Sequence, residues 1–344
     1  MSHEIGKRDT GAFNLPAWHG LLKVTGDYFT KQYALDENGA GLGWMVGCED
    51  IRQSVIMPDG MNKVVIVPGY QMTVRLDLPL DDPFRYLAPV GARYVPIQNA
   101  DAADMAEAIA DASGACFASA FSMKNGRRVV FLLKLPDSIR ALDDTLETYL
   151  MVCNSHDGSK VLEAVLTNVR VVCNNTYVMA VQGADNVWRI RHTDNATNRI
   201  EEAKTVLGLV KNFNAKFGDI VTDLAQKKVN DTFVDAYFKA LFPVNPKGKF
   251  ATRTLGIRQT VRNLYDGGQK GSNMEAIRGT RWGLVNAVAE YVDHQRTIRV
   301  TKGRDFSEAR ADSLLFGSGA TLKRTAFNLA VNADELLQDT LVSN

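Results

Sequence analysis

Residues 115–135, ACFASAFSMKNGRRVVFLLKL, constrain the fold more than any other stretch. Asn125-Gly126 lies between two strand-like apolar runs. Asn-Gly is the favoured pair of a type I′ hairpin because both central positions take φ > 0. Arg127 and Arg128 fall just beyond the turn, at the rim of the sheet, and Pro136 is expected to end the second strand. A second hairpin is predicted over 147–168. Thr145 to Cys153 forms its first strand, Asp157-Gly158 marks the turn, and Lys160 to Asn168 returns. A helix over 170–181 then crosses the sheet. The order β-β-β-β-α is local and antiparallel. It indicates an α+β fold and argues against a doubly wound nucleotide-binding fold.

The flanks extend this plan. Residues 1–50 read as loop-rich, with Pro-Ala-Trp-His-Gly at 16–20. The glycines of ENGAGLGWMVG, 37–47, follow no strand and precede no Lys-Ser/Thr pair, so they suit a turn better than a phosphate loop. Residues 51–99 read as strands at Lys63 to Pro68 and Tyr70 to Leu78, and as a strand into a loop over Val90 to Asn99, with turns at Pro58-Asp59-Gly60 and Pro68-Gly69. Residues 100–112 form an amphipathic helix capped by Asn99 or Asp101. Beyond Gly183, residues 187–192 are one more short strand. The apolar spacing then turns helical, through Ile200, Ala203, Val206, Val210, Phe213, Phe217, Val221 and Leu224. Further helices are expected at 231–241, 252–265, 280–297 and 319–338, separated by the basic loops 243–250 and 266–273. The chain thus divides into a β-rich core domain, 1–182, and a mainly helical basic region, 183–344, packed on it.

Composition excludes several classes. With 45% hydrophobic and 23% charged residues, the chain is that of an ordinary globular protein. No apolar run approaches the roughly 18 residues that span a bilayer. The first residues lack the apolar segment of a secretory signal, so a cytoplasmic location is expected, with no membrane partner. Cys48, Cys116, Cys153 and Cys173 are scattered without a CxxC pair, which predicts reduced, buried thiols. No ligand set for a metal and no cofactor motif emerges. Net charge is +1 but uneven. Residues 1–180 hold 16 Lys+Arg against 21 Asp+Glu, whereas 227–310 hold 16 against 8. A basic excess of this kind suits phosphate backbones, or the acidic half of a neighbouring subunit.

Two stretches could carry chemistry. Asn154-Ser155-His156-Asp157-Gly158 juxtaposes an imidazole and a carboxylate, as an acid–base or metal site would. His19, His192 and His294 could complete a ligand set. The same residues also make a turn, and that reading is preferred. Asn154, His156, Asp157, Arg170, Asn174, Asn175 and Thr176 are expected to form a buried hydrogen-bond network joining the turn to the following helix. In Gly279 to Arg299, Trp282, Asn286, Glu290 and Asp293 share a helical stripe, with Arg278, Arg281, Arg296 and Arg299 at its ends. An aromatic among arginines suits single-stranded nucleic acid, although Trp282 and Tyr291 could equally be core. No catalytic residue is singled out.

In chain order, PAWHG (16–20), AGLGWMV (40–46), VGARYVPIQN (90–99), KNGRRVVFLLKLP (124–136), NSHDGS (154–159), VRVVCNNT (169–176) and RWGLVNAVAEYVDH (281–294) resemble the phage/plasmid-like protein family, carried as a domain of unknown function. Leu22 stands where the family usually has glycine, and Gly43 where an acidic residue is common. The resemblance implies a mobile-element context and supplies no catalytic residues. More weakly, the hairpins-plus-helix core is similar to that of phage single-strand annealing recombinases.

The leading expectation is a protein that binds single-stranded DNA and anneals it without ATP, as a homo-oligomeric ring or filament. Arg127, Arg128, Lys134, Lys247, Lys249, Arg253, Arg258, Lys270, Arg278, Arg281 and Trp282 would form its nucleic-acid surface. The rivals are a metal-dependent nuclease or hydrolase centred on His156 and Asp157, and a phage structural or host-inhibitory protein acting by protein contact.

Overall fold

A computed structural model describes residues 11–13, 23–141, 144–170, 176–177, 187–189, 196–245, 251–267, 275–298, 309–310, 313–314 and 317–333. The antiparallel hairpins of the sequence are its centre. Strands β6 (Cys116–Met123), β7 (Arg128–Ala141), β8 (Asp144–Ser155) and β9 (Glu163–Arg170) pair in succession. They belong to an eight-stranded sheet in the order β10-β9-β8-β7-β6-β1-β2, with β11 also on β9. Here β1 is Gly11–Phe13, β2 Lys23–Val24, β10 Thr176–Tyr177 and β11 Val187–Arg189. Every pairing is antiparallel except β1 with β2. The hairpin turn places Lys124, Asn125 and Gly126 at φ of 57°, 56° and 89°. These left-handed values are ones that Asn and Gly tolerate.

Period-2 alternation sorts the strands into two faces. Val129, Phe131, Leu133, Leu150, Val152, Ala164 and Leu166 enter the main core. Val130, Met151, Cys153 and Val165 form a smaller cluster with Phe121 and Met123. Helix α2 (Asn99–Ser113) and the long α3 (Ala196–Gln226) cover the main face. Ala203, Val206, Val210, Phe213, Phe217, Val221 and Leu224 of α3 are all buried there.

A second, three-stranded sheet consists of β3 (Val46–Ile56), β4 (Asn62–Arg75) and β5 (Tyr86–Gly91). It follows α1 (Lys31–Leu35), whose N-cap Thr30 accepts from the Tyr33 N–H. The helical half comprises α4 (Asp231–Leu241), α5 (Ala251–Gly267), α6 (Arg281–Glu290) with a π-helical turn (Tyr291–Gln295), and α7 (Ser318–Val331). All ten residues of α6 are buried, so α6 is the central helix around which α3, α5 and α7 pack. No described helix is long and apolar enough to cross a membrane.

Local expectations change at the α2 N-cap, which is Gln98 and not Asn99 or Asp101, and at four other places. Pro136 does not end β7. The strand runs on to Ala141 across a register shift between Lys134 and Ser138, which absorbs the missing N–H as a bulge. Pro68-Gly69 is likewise an irregularity inside the single strand β4, with Gly69 at φ 79°, and not a turn between two strands. The helix over 170–181 is replaced at Thr176 and Tyr177 by a strand paired with Val169 and Asn168; residues 171–175 and 178–181 lie outside the described residues. The β-branched Thr and aromatic Tyr favour that extended state. Cys116 is exposed, against the expectation of buried thiols, whereas Cys48 is half-buried and Cys153 buried.

Candidate functional site

The polar knot at 154–159 is built into the junction between the two sheets. Its turn is closed locally. The Asp157 carboxylate accepts from the Ser155 hydroxyl at 2.5 Å and from the Ser159 N–H at 3.0 Å, and Gly158 takes φ 70°. Burial pushes the Asp157 carboxyl up, but the bonds from Ser155 and Ser159 outweigh it and hold the group below the ordinary carboxylate value.

His156 points inward and is fully buried. Its N–H donates to the Arg127 carbonyl at 2.8 Å, which stitches the two turns together. Its carbonyl accepts from the Thr73 hydroxyl on β4 at 2.8 Å. Its Nε2 lies 2.8 Å from the Asn99 side-chain oxygen. The Asn99 amide donates to the carbonyls of Leu42 and Trp44, at 2.9 and 3.2 Å. With both amide hydrogens on the nitrogen side, the Asn99 oxygen faces His156, so Nε2 carries the imidazole hydrogen and Nδ1 is the bare acceptor. The Trp44 ring packs edge-on against the imidazole at 5.4 Å, and the Arg75 guanidinium lies 4.2 Å from the Trp44 ring. Burial first, partly opposed by Asp157 and assisted by Arg75, lowers the His156 pKa from 6.5 to about 4.

This arrangement clamps β3-β4-β5 onto the turn ends of β6-β7 and β8-β9. The imidazole is neutral and enclosed, with Nε2 bonded and Nδ1 buried without a partner among the described residues. It has no open side for a substrate, and the Asp157 oxygens serve the turn. The other residues of the expected network are placed as follows. Asn154 donates from Nδ2 to the Ile97 carbonyl at 2.8 Å. Arg170 ends β9 and Thr176 pairs in β10, while Asn174 and Asn175 lie outside the described residues. The partners that hold His156 are Asn99, Thr73 and Trp44, from segments distant in sequence. Among the described residues no group of three His, Cys, Asp or Glu is arranged for a metal ion, and His19 and His192 fall outside them.

The proposed nucleic-acid residues divide. Arg127 is exposed at the hairpin rim and Arg128 beside it is half-buried. Arg253 and Arg278 are exposed, and Lys228 joins Arg278 by donating to its carbonyl at 3.1 Å. Other members of the set are engaged within the fold. Lys134 pairs with Glu147 at 2.5 Å. Arg258 closes the C-terminal end of α4, donating to the carbonyls of Phe242 and Lys239 at 2.7 and 3.3 Å. Arg281 is buried, 5.2 Å from the Phe233 ring and bonded to the Ala330 carbonyl. Trp282 is completely buried. The stripe Trp282, Asn286, Glu290, Asp293 faces the interior because α6 is enclosed on all sides, so no base can stack on this indole. Lys247, Lys249 and Lys270 lie outside the described residues.

Sequence reasoning placed one more arginine at the end of the Trp282 stripe without counting it in the nucleic-acid surface. Arg296, directly after the π turn, shares a cavity with Arg253 of α5. Both fall in the basic 227–310 stretch, but only the packing of the π turn against α5 brings them together.

No curated protein and no solved structure matches the chain. The family model described as "Domain of unknown function (DUF932)" matches residues 86–315, from β5 through the central sheet and α2 to the helical half. That span holds Asn99, His156, Arg253 and Arg296, and leaves Trp44 and Thr73 outside. Matched over well more than half its length, the chain belongs to this family.

Proposed function

We propose that the protein binds single-stranded DNA and promotes annealing without ATP, in a mobile-element context and as a homo-oligomer. One observation carries the reading. Of the cations expected to meet nucleic acid, Arg127 is exposed at the hairpin rim and Arg253 and Arg278 are exposed on the helical half, with exposed Lys228 beside Arg278. Arg127 follows the β6-β7 turn and Arg253 lies on α5, and the helical half is also where the sequence is most basic. Cations held at a protein surface contact phosphates without reading bases, which is what strand annealing requires. An antiparallel hairpin core backed by helices is compatible with the annealing proteins that the sequence resembles. The competing hydrolase reading has to route its chemistry through His156 and Asp157, but the imidazole is buried against Asn99 and the carboxylate closes its own turn.

The test is a salt titration of the full chain against a fluorescent oligothymidylate. Contacts from Arg127, Arg253, Arg278 and Lys228 predict a slope of log Kobs on log salt of about −3, from roughly 0.7 per phosphate on single strands. Arg127→Ala should lower the slope by about 0.7 with no change in thermal midpoint. Absence of binding at ~50 mM salt would sink the proposal. The mass of the untreated assembly and its ultraviolet absorbance ratio test the oligomer and its nucleic-acid content.

A further inference from the structure

Several cations of this fold are met by carboxylates. Arg262 contacts Asp231, Asp235 and Asp266; Arg75 meets Asp77; Arg85 meets Glu49; and buried Lys323 meets Asp293. Arg253 and Arg296 depart from the pattern. They line one cavity of about 550 Å³ with Thr254, Ile257, Tyr291 and Ser318, and no described lining residue is acidic. Neither arginine has an ion pair among the described residues, and Arg296 Nη1 is a buried donor with no partner among them. Two guanidiniums brought together with no carboxylate among the described lining residues cost free energy, which an anion between them recovers.

The surroundings point the same way. Burial, with Arg253 adding to it, holds the Arg296 guanidinium below its ordinary value despite the favourable effect of Tyr291. Burial also raises the Tyr291 hydroxyl, while Arg296 and Arg253 both pull it down, so both charges are felt at that hydroxyl. Ser318 is the first residue of α7, whose opening turn has no acidic residue and presents the positive end of the helix dipole. The volume suits a small organic anion and exceeds what a bare phosphate ion fills, since ligand clefts run from about 300 to 1,000 Å³.

We propose that this cavity binds the phosphate group of a nucleotide, with Arg253 and Arg296 engaging the phosphate oxygens and Ile257 facing the remainder of the nucleotide. The phosphate comes either from a free nucleotide or from a strand terminus. The strand form rests on the annealing reading above; the free-nucleotide form stands without it.

The experiment uses the full chain and two matched pairs of probes: thymidine 5′-monophosphate against thymidine, and a 5′-phosphorylated oligothymidylate against its unphosphorylated form. Charge-assisted bonds from two arginines predict that the phosphorylated member of at least one pair binds tighter by about tenfold or more. R253Q and R296Q should each abolish that preference. Each should also leave the ligand-free thermal midpoint unchanged or higher, because it relieves like-charge repulsion. A preference confined to the oligonucleotide pair identifies a strand terminus, and one confined to the mononucleotide pair identifies a free nucleotide. Equal binding within both pairs, or a preference surviving in both variants, overturns the proposal. So does a lower midpoint in the exposed-site variant R253Q, which would make that arginine structural. If unphosphorylated oligonucleotide fails to bind at low salt, the annealing reading falls while the mononucleotide pair still decides the pocket.

Discussion

His156 should make the protein lose stability in mild acid, in a window set by its burial. Its pKa is 6.5 in the unfolded chain and about 4 in the folded protein. The folded imidazole therefore holds its proton less tightly. Between those values the unfolded chain binds more protons, so stability falls as pH falls through the window and is fully present above it. From about pH 7.5 to about pH 5, the unfolded group becomes almost fully protonated and the folded group barely titrates. The difference is roughly 1.5 pH units of linkage, or about 2 kcal/mol at 1.36 kcal/mol per unit. Asp157 does not confuse the measurement. Its folded carboxyl is held below the ordinary 3.8, so its contribution is present above that value and is lost only in stronger acid. The assay is urea unfolding at the two pH values, followed by tryptophan fluorescence, because the Trp44 ring faces the imidazole. His156→Gln retains a donor for Asn99 and removes the titration. Parent and variant should differ by about 2 kcal/mol in their acid losses. Equal losses would refute the enclosed, neutral imidazole. They would also reopen an acid–base role for it.

Other perturbations separate core from surface. Trp282→Ala should cost about 3–5 kcal/mol in urea unfolding, because the indole is completely buried, while oligonucleotide affinity per folded molecule stays unchanged. Asp293→Asn leaves the Lys323 ammonium buried without its 2.7 Å partner and should cost about 3–5 kcal/mol, read from the same transition. Gly126→Ala forces a side chain onto φ 89° and brings its Cβ to 3.2 Å from both Arg75 and Trp44; a loss of about 1–3 kcal/mol in thermal or urea unfolding is expected.

The contrast between Asn125-Gly126 and His156 shows which parts of this protein were legible in sequence. Hairpins announce themselves locally, because a two-residue φ requirement and period-2 alternation suffice to place four strands. The regular spacing of α3 is equally local, and Asp231–Leu241 agrees residue for residue with its expected helix. Bulges were missed because Pro136 and Pro68-Gly69 carry the same signals as turns. Only the partner strand decides whether the chain reverses or kinks and continues. The buried position of α6 was foreshadowed. In RWGLVNAVAE apolar residues occur on every side, the mark of a helix enclosed all round. Reading Trp282, Asn286 and Glu290 as a functional stripe gave weight to polarity along one line and neglected the apolar residues on the others. The polar knot could not be resolved from within. His156 and Asp157 are adjacent in sequence but separated in role, the carboxylate closing its own turn while the imidazole reaches Asn99, 57 residues away. A catalytic pair and a structural pair look alike as letters. They diverge once burial strips the imidazole of its charge and hands its hydrogen bond to a distant amide. Arg253 and Arg296 share a cavity whose described lining includes no carboxylate, and only the packing of the π turn against α5 brings the two guanidiniums together.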